Sequence, residues 1–126
     1  DPYLARMTIA TFRPEDVVIA ISATGHTSEV IDCVHIARTY HARTIAITTP
    51  GSALAHAAEI ALTTKIAEYP DALTPSASRF AFLLIIDLVA AATGYQMGPL
   101  ARENLRRIKF NLVDQGAGPS IEPLGD

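Results

Sequence analysis

Cysteine occurs only once in this chain of 126 residues, at position 33. A single thiol excludes an internal disulfide and makes a reducing cytoplasm the expected compartment. Charge is also scarce. Charged residues make up 18% of the chain against 49% hydrophobic, which excludes a disordered chain and fits one globular domain with a real core. There is no basic excess. The net charge is −3 and the isoelectric point is near 5.7, a poor basis for gripping nucleic acid through this domain's own surface. No N-terminal stretch has the pattern of a signal peptide. The longest apolar run, Phe80 to Ala92, is interrupted by Asp87. It is shorter than the ~20 residues a membrane span needs, so a central buried helix is expected there. No internal repeat is present. The chain does not begin with Met, from which a start inside a longer protein is expected.

Asp16 to Glu29 holds the most informative pattern. Val17 to Ile21 is a short β-branched run, read as a strand buried on both faces in a parallel sheet. Ser22 to Thr27 follows with three hydroxyls (Ser22, Thr24, Thr27), Gly25 and His26. Helical spacing then begins at Ser28. A helix N-terminus offers unpaired N–H groups and partial positive charge, so this turn is read as a phosphate-binding site.

Ahead of it, Tyr3, Leu4 and Met7 predict a short helix, and Arg13 to Asp16 a turn. Behind it, Val30, Cys33, Val34, Ala37 and Tyr40 form one buried helix face. Cys33 on that face is read as a small buried hydrophobe rather than a catalytic thiol. Thr27 or Ser28 caps the helix start. Glu29 complements the helix dipole, with a general base as the competing role.

Thr44 to Thr48 is a second short strand. Strand, helix, strand in this span makes a βαβ unit with parallel strands. Thr48 and Thr49 lie at the sheet edge where α/β folds bind ligands, although threonine is also an ordinary strand-end residue. Ser52 is read as the N-cap of a helix over 53–58, and Ile60 to Thr64 as a third strand. After a loop broken by Pro70, Thr74 and Pro75 predict the start of a helix ending at Gly94. That helix is apolar nearly all round, so burial against the sheet, a second subunit or both is expected. Asp87 within it then needs a structural partner. Arg79 either reaches a phosphate or pairs with an acid. Gly98 and Pro99 break the chain before a last helix, Leu100 to Val113. Its Arg102, Arg106, Arg107 and Lys109 are read as a solvated face. Residues 116–126 are expected to be a disordered tail.

The stretch Asp16 to Thr27 resembles the second phosphosugar motif of SIS (sugar isomerase) domains, Ser-x-Ser/Thr-Gly-x-Thr after a strand. Ala46 to Thr49 and Ser52 to Ala55 resemble the family's next strand and its Ser-x-Leu-Ala helix start. Ser78 to Asp87 resembles the long-helix signature of SIS domains in RpiR-type transcriptional regulators. Pro75, Ser78, Arg79, Asn104, Leu105, Ile108 and Lys109 are nearest to the HexR-like members. Two features depart from the pattern. The upstream Gly-x-Gly-x-Ser turn and the helix-turn-helix domain are not in this chain, and His26 stands where many relatives carry Arg or Lys.

The resemblance implies an α/β fold, three-layer α/β/α with a parallel sheet, truncated at the N-terminus. Residues 1–115 would be a partial SIS domain. It implies a domain that senses a phosphorylated sugar or sugar acid of the 2-keto-3-deoxy-6-phosphogluconate kind. Ser22, Thr24, Gly25 and Thr27 would bind it, with Ala23, His26, Thr48 and Thr49 as further candidates. DNA would be bound through an N-terminal domain outside this chain, and a homodimer would form through the 76–93 helix. No catalytic residue, metal or cofactor is expected. The alternative is an aldose–ketose sugar-phosphate isomerase. That chemistry needs a base and a second acid/base group, and Glu29, His26 and His56 have no spacing that argues for a shared site.

Overall fold

The computed structural model describes residues 1–65 and 77–114. The expectations for Pro70, Thr74, Pro75, Ser76 and the 116–126 tail lie outside the described residues. The elements run α1 Pro2–Ile9, β1 Val17–Ser22, α2 Ser28–Thr39, β2 Arg43–Thr48, α3 Ala53–Ala57, β3 Ile60–Thr63, α4 Ala77–Met97 and α5 Pro99–Asp114. They fall into two compact units, Asp1–Ile86 and Asp87–Asp126.

In the first unit, the Asp1 carboxylate starts α1 by accepting from the N–H groups of Tyr3 at 2.7 Å and Leu4 at 3.3 Å. The three strands form a parallel sheet in the order β1-β2-β3. Ile19 pairs with Ile45, and Ile45 with Ile60, so β-branched residues line up across the sheet. The βαβ unit expected from the spacing is present, with α2 joining β1 to β2.

Alternate residues of the strands face α2 and α3. There Ala20, Val34, Ala46, Leu54 and Ala57 make one core cluster. Val34, Ala46 and Leu54 are fully buried. Burying a side chain the size of Val34 or Leu54 contributes about 1.5–3 kcal/mol. A second cluster of Ile9, Ala37 and Ala42, with Cys33 packed against it, joins α1 to α2. The Arg6–Asp32 ion pair at 2.6 Å ties the same two helices. Arg38 donates to the Ala57 carbonyl at 2.8 Å and so ties α2 to the end of α3.

Several expectations are corrected. β1 is not buried on both faces. Val17, Ile19 and Ile21 are 41–52% exposed, because β1 is an edge strand and α1, α2 and α3 pack on the face that carries Ala20 and Ser22. Tyr40 leaves the buried stripe and is exposed, since the helix ends at Thr39. His41 follows in the left-handed region with φ 62° and turns the chain into β2.

α4 does not end at Gly94. It runs on to Met97 and stops at Gly98, where φ is 55°. A glycine inside a helix costs only about 1 kcal/mol, too little to end one of this length. At 21 residues and mean hydropathy 1.7, α4 is long and apolar enough to cross a membrane by length and composition. Nor is it buried within the single chain: Phe80, Leu83, Leu84 and Leu88 are 57–72% exposed. Asp87 is also exposed within the single chain. Arg79 is exposed as well.

In the second unit, Pro99 occupies the first turn of α5, as expected at a helix start. Arg102, Arg106 and Arg107 are exposed, and Arg107 bonds Glu103 one turn away at 3.1 Å, in keeping with a solvated face.

Candidate functional site

The turn from Ser22 to Thr27 sits at the C-terminal end of β1 and leads directly into α2. The Ser22 side chain is buried and works inside the turn. Its Oγ accepts from the Gly25 N–H at 3.1 Å and lies 3.2 Å from Thr27 Oγ1. Thr24 and His26 are exposed at the tip, where Thr24 Oγ1 accepts the His26 N–H at 3.3 Å. Thr27 is the N-cap of α2 with extended backbone, but its side chain makes no capping bond. Its carbonyl instead accepts from the Val30 and Ile31 N–H groups at 3.2 and 3.1 Å, which leaves the Thr27 hydroxyl outside the helix's own bonding. Hydroxyls of Thr24 and Thr27, the imidazole of His26 and the positive end of a twelve-residue helix share one exposed surface. Such a surface can hold an anion through neutral donors and backbone dipoles.

Gly25 is the hinge of this arrangement. Its φ is +67°, a conformation that L side chains adopt at a cost. A Cβ placed on it would stand 2.2 Å from Ser52 Oγ and 2.5 Å from Thr48 Oγ1. The Gly25 carbonyl accepts from the Leu54 N–H at 2.9 Å. The turn after β1 is thus locked to the turn after β2.

Glu29 occupies the first turn of α2 and is exposed. Its carboxyl is held below its ordinary value first by its own backbone N–H, then by the Ser28 hydroxyl at 3.0 Å, with a smaller pull from Arg6. This is the environment of a helix-start carboxylate that stays ionised, not of a base poised near neutrality. A groove of about 380 Å³ between α1, β1 and α2 includes Glu29, Val30 and Cys33, but not the 22–27 turn.

Thr48 is fully buried and its hydroxyl is 3.3 Å from Ser52 Oγ. Thr49 is half-buried at the end of β2, and Ala23 is exposed between Ser22 and Thr24. His56 has its Nδ1 against the Ser52 carbonyl at 2.8 Å, within α3. Among the described residues no group of three or more His, Cys, Asp or Glu is placed to hold a metal.

Ser52 was legible only as a helix cap, which it is: its Oγ accepts from the Ala55 N–H at 3.2 Å. Its contact with Gly25 had no signal in local spacing. Arg6 carries no such signal either, since its partner Asp32 lies on another helix.

The family model described as "SIS domain" matches residues 2–92. The chain is 37% identical over all 126 residues to the HTH-type transcriptional regulator HexR of Escherichia coli (strain K12), and spans 44% of that protein. It is 39% identical over 82 residues, or 63% of the chain, to the arabinose 5-phosphate isomerase KdsD of the same organism, covering 25% of it. Among solved structures, the Vibrio vulnificus NanR protein complexed with ManNAc-6P superposes with a TM-score of 0.78 at 23% identity. That match covers 94% of this chain and 45% of NanR. The chain therefore spans less than half the length of HexR and of NanR.

Proposed function

This chain belongs to the SIS domain family, and on that premise we propose that it is the phosphosugar-sensing domain of a transcriptional regulator of sugar catabolism. The observation that carries the reading is the hydroxyl turn Ser22 to Thr27. It is set on the N-terminus of α2 in a chain that matches a HexR regulator along its whole length. The effector is a phosphorylated sugar acid of the 2-keto-3-deoxy-6-phosphogluconate kind. Thr24, Thr27 and the positive end of α2 receive its phosphate. Ser22 and Gly25 hold the turn in shape, and His26, Ala23 and Thr49 flank it. The NanR protein of like fold is itself complexed with a sugar phosphate, ManNAc-6P, which supports the ligand class.

DNA is bound elsewhere in the full-length protein, through a helix-turn-helix segment of the kind the HexR relative's name records. The regulator works in the cytoplasm as a homodimer, and the exposed apolar residues of α4 support a contact with a second copy. The domain extends over residues 1–115. The reading is non-enzymatic, supported by the ionised, exposed state of Glu29.

The test is titration of the full-length protein with a panel of sugar phosphates while DNA binding is followed by fluorescence anisotropy. A shift in DNA affinity with 2-keto-3-deoxy-6-phosphogluconate is expected, and Thr27→Ala should weaken the response without unfolding the protein. Turnover of an aldose phosphate with no change in DNA affinity would overturn the regulator reading in favour of an isomerase.

A further inference from the structure

Ser52 and Thr48 are two polar side chains that the ligand surface does not use. Both are buried, at 2% and 0% exposure, at the end of β2 and the start of α3. A buried hydroxyl with no task is costly, and these two answer each other at 3.3 Å. That separation is long for a hydroxyl pair, so hydrogen-bond strength is not what recommends the arrangement. Position is. Both oxygens lie where a side chain on Gly25 would be, at 2.2 and 2.5 Å from its Cβ position. The same Ser52 Oγ accepts the Ala55 N–H and fixes the first turn of α3. The fixed turn aims the Leu54 N–H at the Gly25 carbonyl, 2.9 Å away. On the other side of that glycine, the Gly25 N–H is spent on Ser22 Oγ. Gly25 is therefore gripped from both sides, by its own turn and by the next one.

We propose that Ser52, seconded by Thr48, is a positioning residue for the phosphate turn: it touches no ligand, but sets the height and tilt of Gly25 so that Thr24 and Thr27 face the same anion. This deepens the reading of Ser22 to Thr27 as the ligand turn and rests on it. A physical reason favours such a brace. The site has no fixed cation at its tip, so its grip depends on several weak neutral donors converging on one point. Small displacements of a preorganised site are expensive. Thr48 and Thr49 thus differ in role although they are adjacent: Thr48 is part of the brace and Thr49 is not.

The test uses the full-length protein with 2-keto-3-deoxy-6-phosphogluconate as the probe, read by isothermal titration and by amide hydrogen exchange in the absence of ligand. Ser52→Ala should weaken binding about tenfold, the scale of one lost hydrogen bond. Amide exchange should accelerate in peptides covering 22–27 and 52–57, with 32–38 in α2 unchanged. Thr48→Val, which keeps shape and removes the hydroxyl, should act in the same direction, and Thr48→Ser should restore wild-type behaviour. Wild-type binding by Ser52→Ala, or a uniform loss of protection that includes α2, overturns the brace. Should Ser52→Ala fail to fold, the Thr48→Val and Thr48→Ser pair decides by the same criteria. Should the wild-type protein bind no sugar phosphate, the ligand reading fails. The exchange arm still judges the brace, which stands if 22–27 loosens selectively and falls if it does not.

Discussion

Gly25→Ala should destabilise the protein by about 2–5 kcal/mol, a sum of two separable costs. The first is backbone. At φ +67°, an alanine in the left-handed region costs roughly 1–2 kcal/mol. The second is steric. The new Cβ would meet Ser52 Oγ at 2.2 Å, Ser52 Cβ at 2.4 Å and Thr48 Oγ1 at 2.5 Å. Neither neighbour is a flexible side-chain end, since Ser52 caps α3 and Thr48 is fully buried in β2. Overpacking of this kind adds about 1–3 kcal/mol. Gly51 supplies the control. Its φ is +70°, but nothing lies within 4 Å of its Cβ position, so Gly51→Ala should show the backbone cost alone. The measurement is urea unfolding followed by circular dichroism for both variants. Their difference should be about 1–3 kcal/mol, with Gly25→Ala the worse. Adding Ser52→Gly to Gly25→Ala should recover part of the loss and give a non-additive double-mutant cycle. Equal destabilisation of the two alanine variants would refute the reasoning, because it would mean that Gly25 does not press on Ser52 and Thr48.

The Glu29 carboxyl should titrate below its ordinary value of 4.5, because its own N–H, Ser28 and Arg6 all favour the ionised form. A carboxyl lowered in the folded state contributes stability that is complete above the unfolded value and is lost as pH falls through the folded one. Carboxyl-carbon NMR should show a midpoint under 4.5, and Glu29→Gln should remove that part of the acid sensitivity. A midpoint at or above the ordinary value speaks against the helix-start environment. His41→Gly should raise stability by about 0.5 kcal/mol, because relief of the left-handed backbone at φ 62° outweighs the added freedom of the unfolded chain. Loss of more than about 1 kcal/mol in thermal unfolding would show that the His41 side chain stabilises the turn instead.

What was legible in the sequence follows physical range. Val17 to Ser22, Ser28 to Thr39 and Arg43 to Thr48 declare themselves because strand and helix periods are local properties, and the parallel pairing follows from the length of the crossover. The Ser52 cap was legible for the same reason. The exposure of Ile19 and Ile21 was not, since an apolar run of β-branched residues reads alike whether one face is covered or two. Gly94 misleads because a long apolar helix tolerates the small cost of one glycine, and only Gly98, with positive φ and Pro99 behind it, ends α4. At the site, the hydroxyls of Ser22, Thr24 and Thr27 stood out by composition. The division between those that face solvent and the one that works within the turn depends on contacts at 3.1 and 3.2 Å that no spacing rule encodes. The seat of Gly25 on Ser52 is more remote still, because the two belong to successive βα turns.

The bond between the Gly25 carbonyl and the Leu54 N–H has a consequence for the order in which the protein is made. Its two ends lie about thirty residues apart, a loop that closes only after the intervening segments have collapsed. A nascent chain that has emerged as far as α2 already carries every hydroxyl of the turn. It still lacks the strand and helix start that hold the turn in shape. The ribosome must deliver β2 and the first turn of α3 before the turn is held in its folded shape. The shape of the turn thus arrives only with the completed βαβ unit and the start of the helix that follows it.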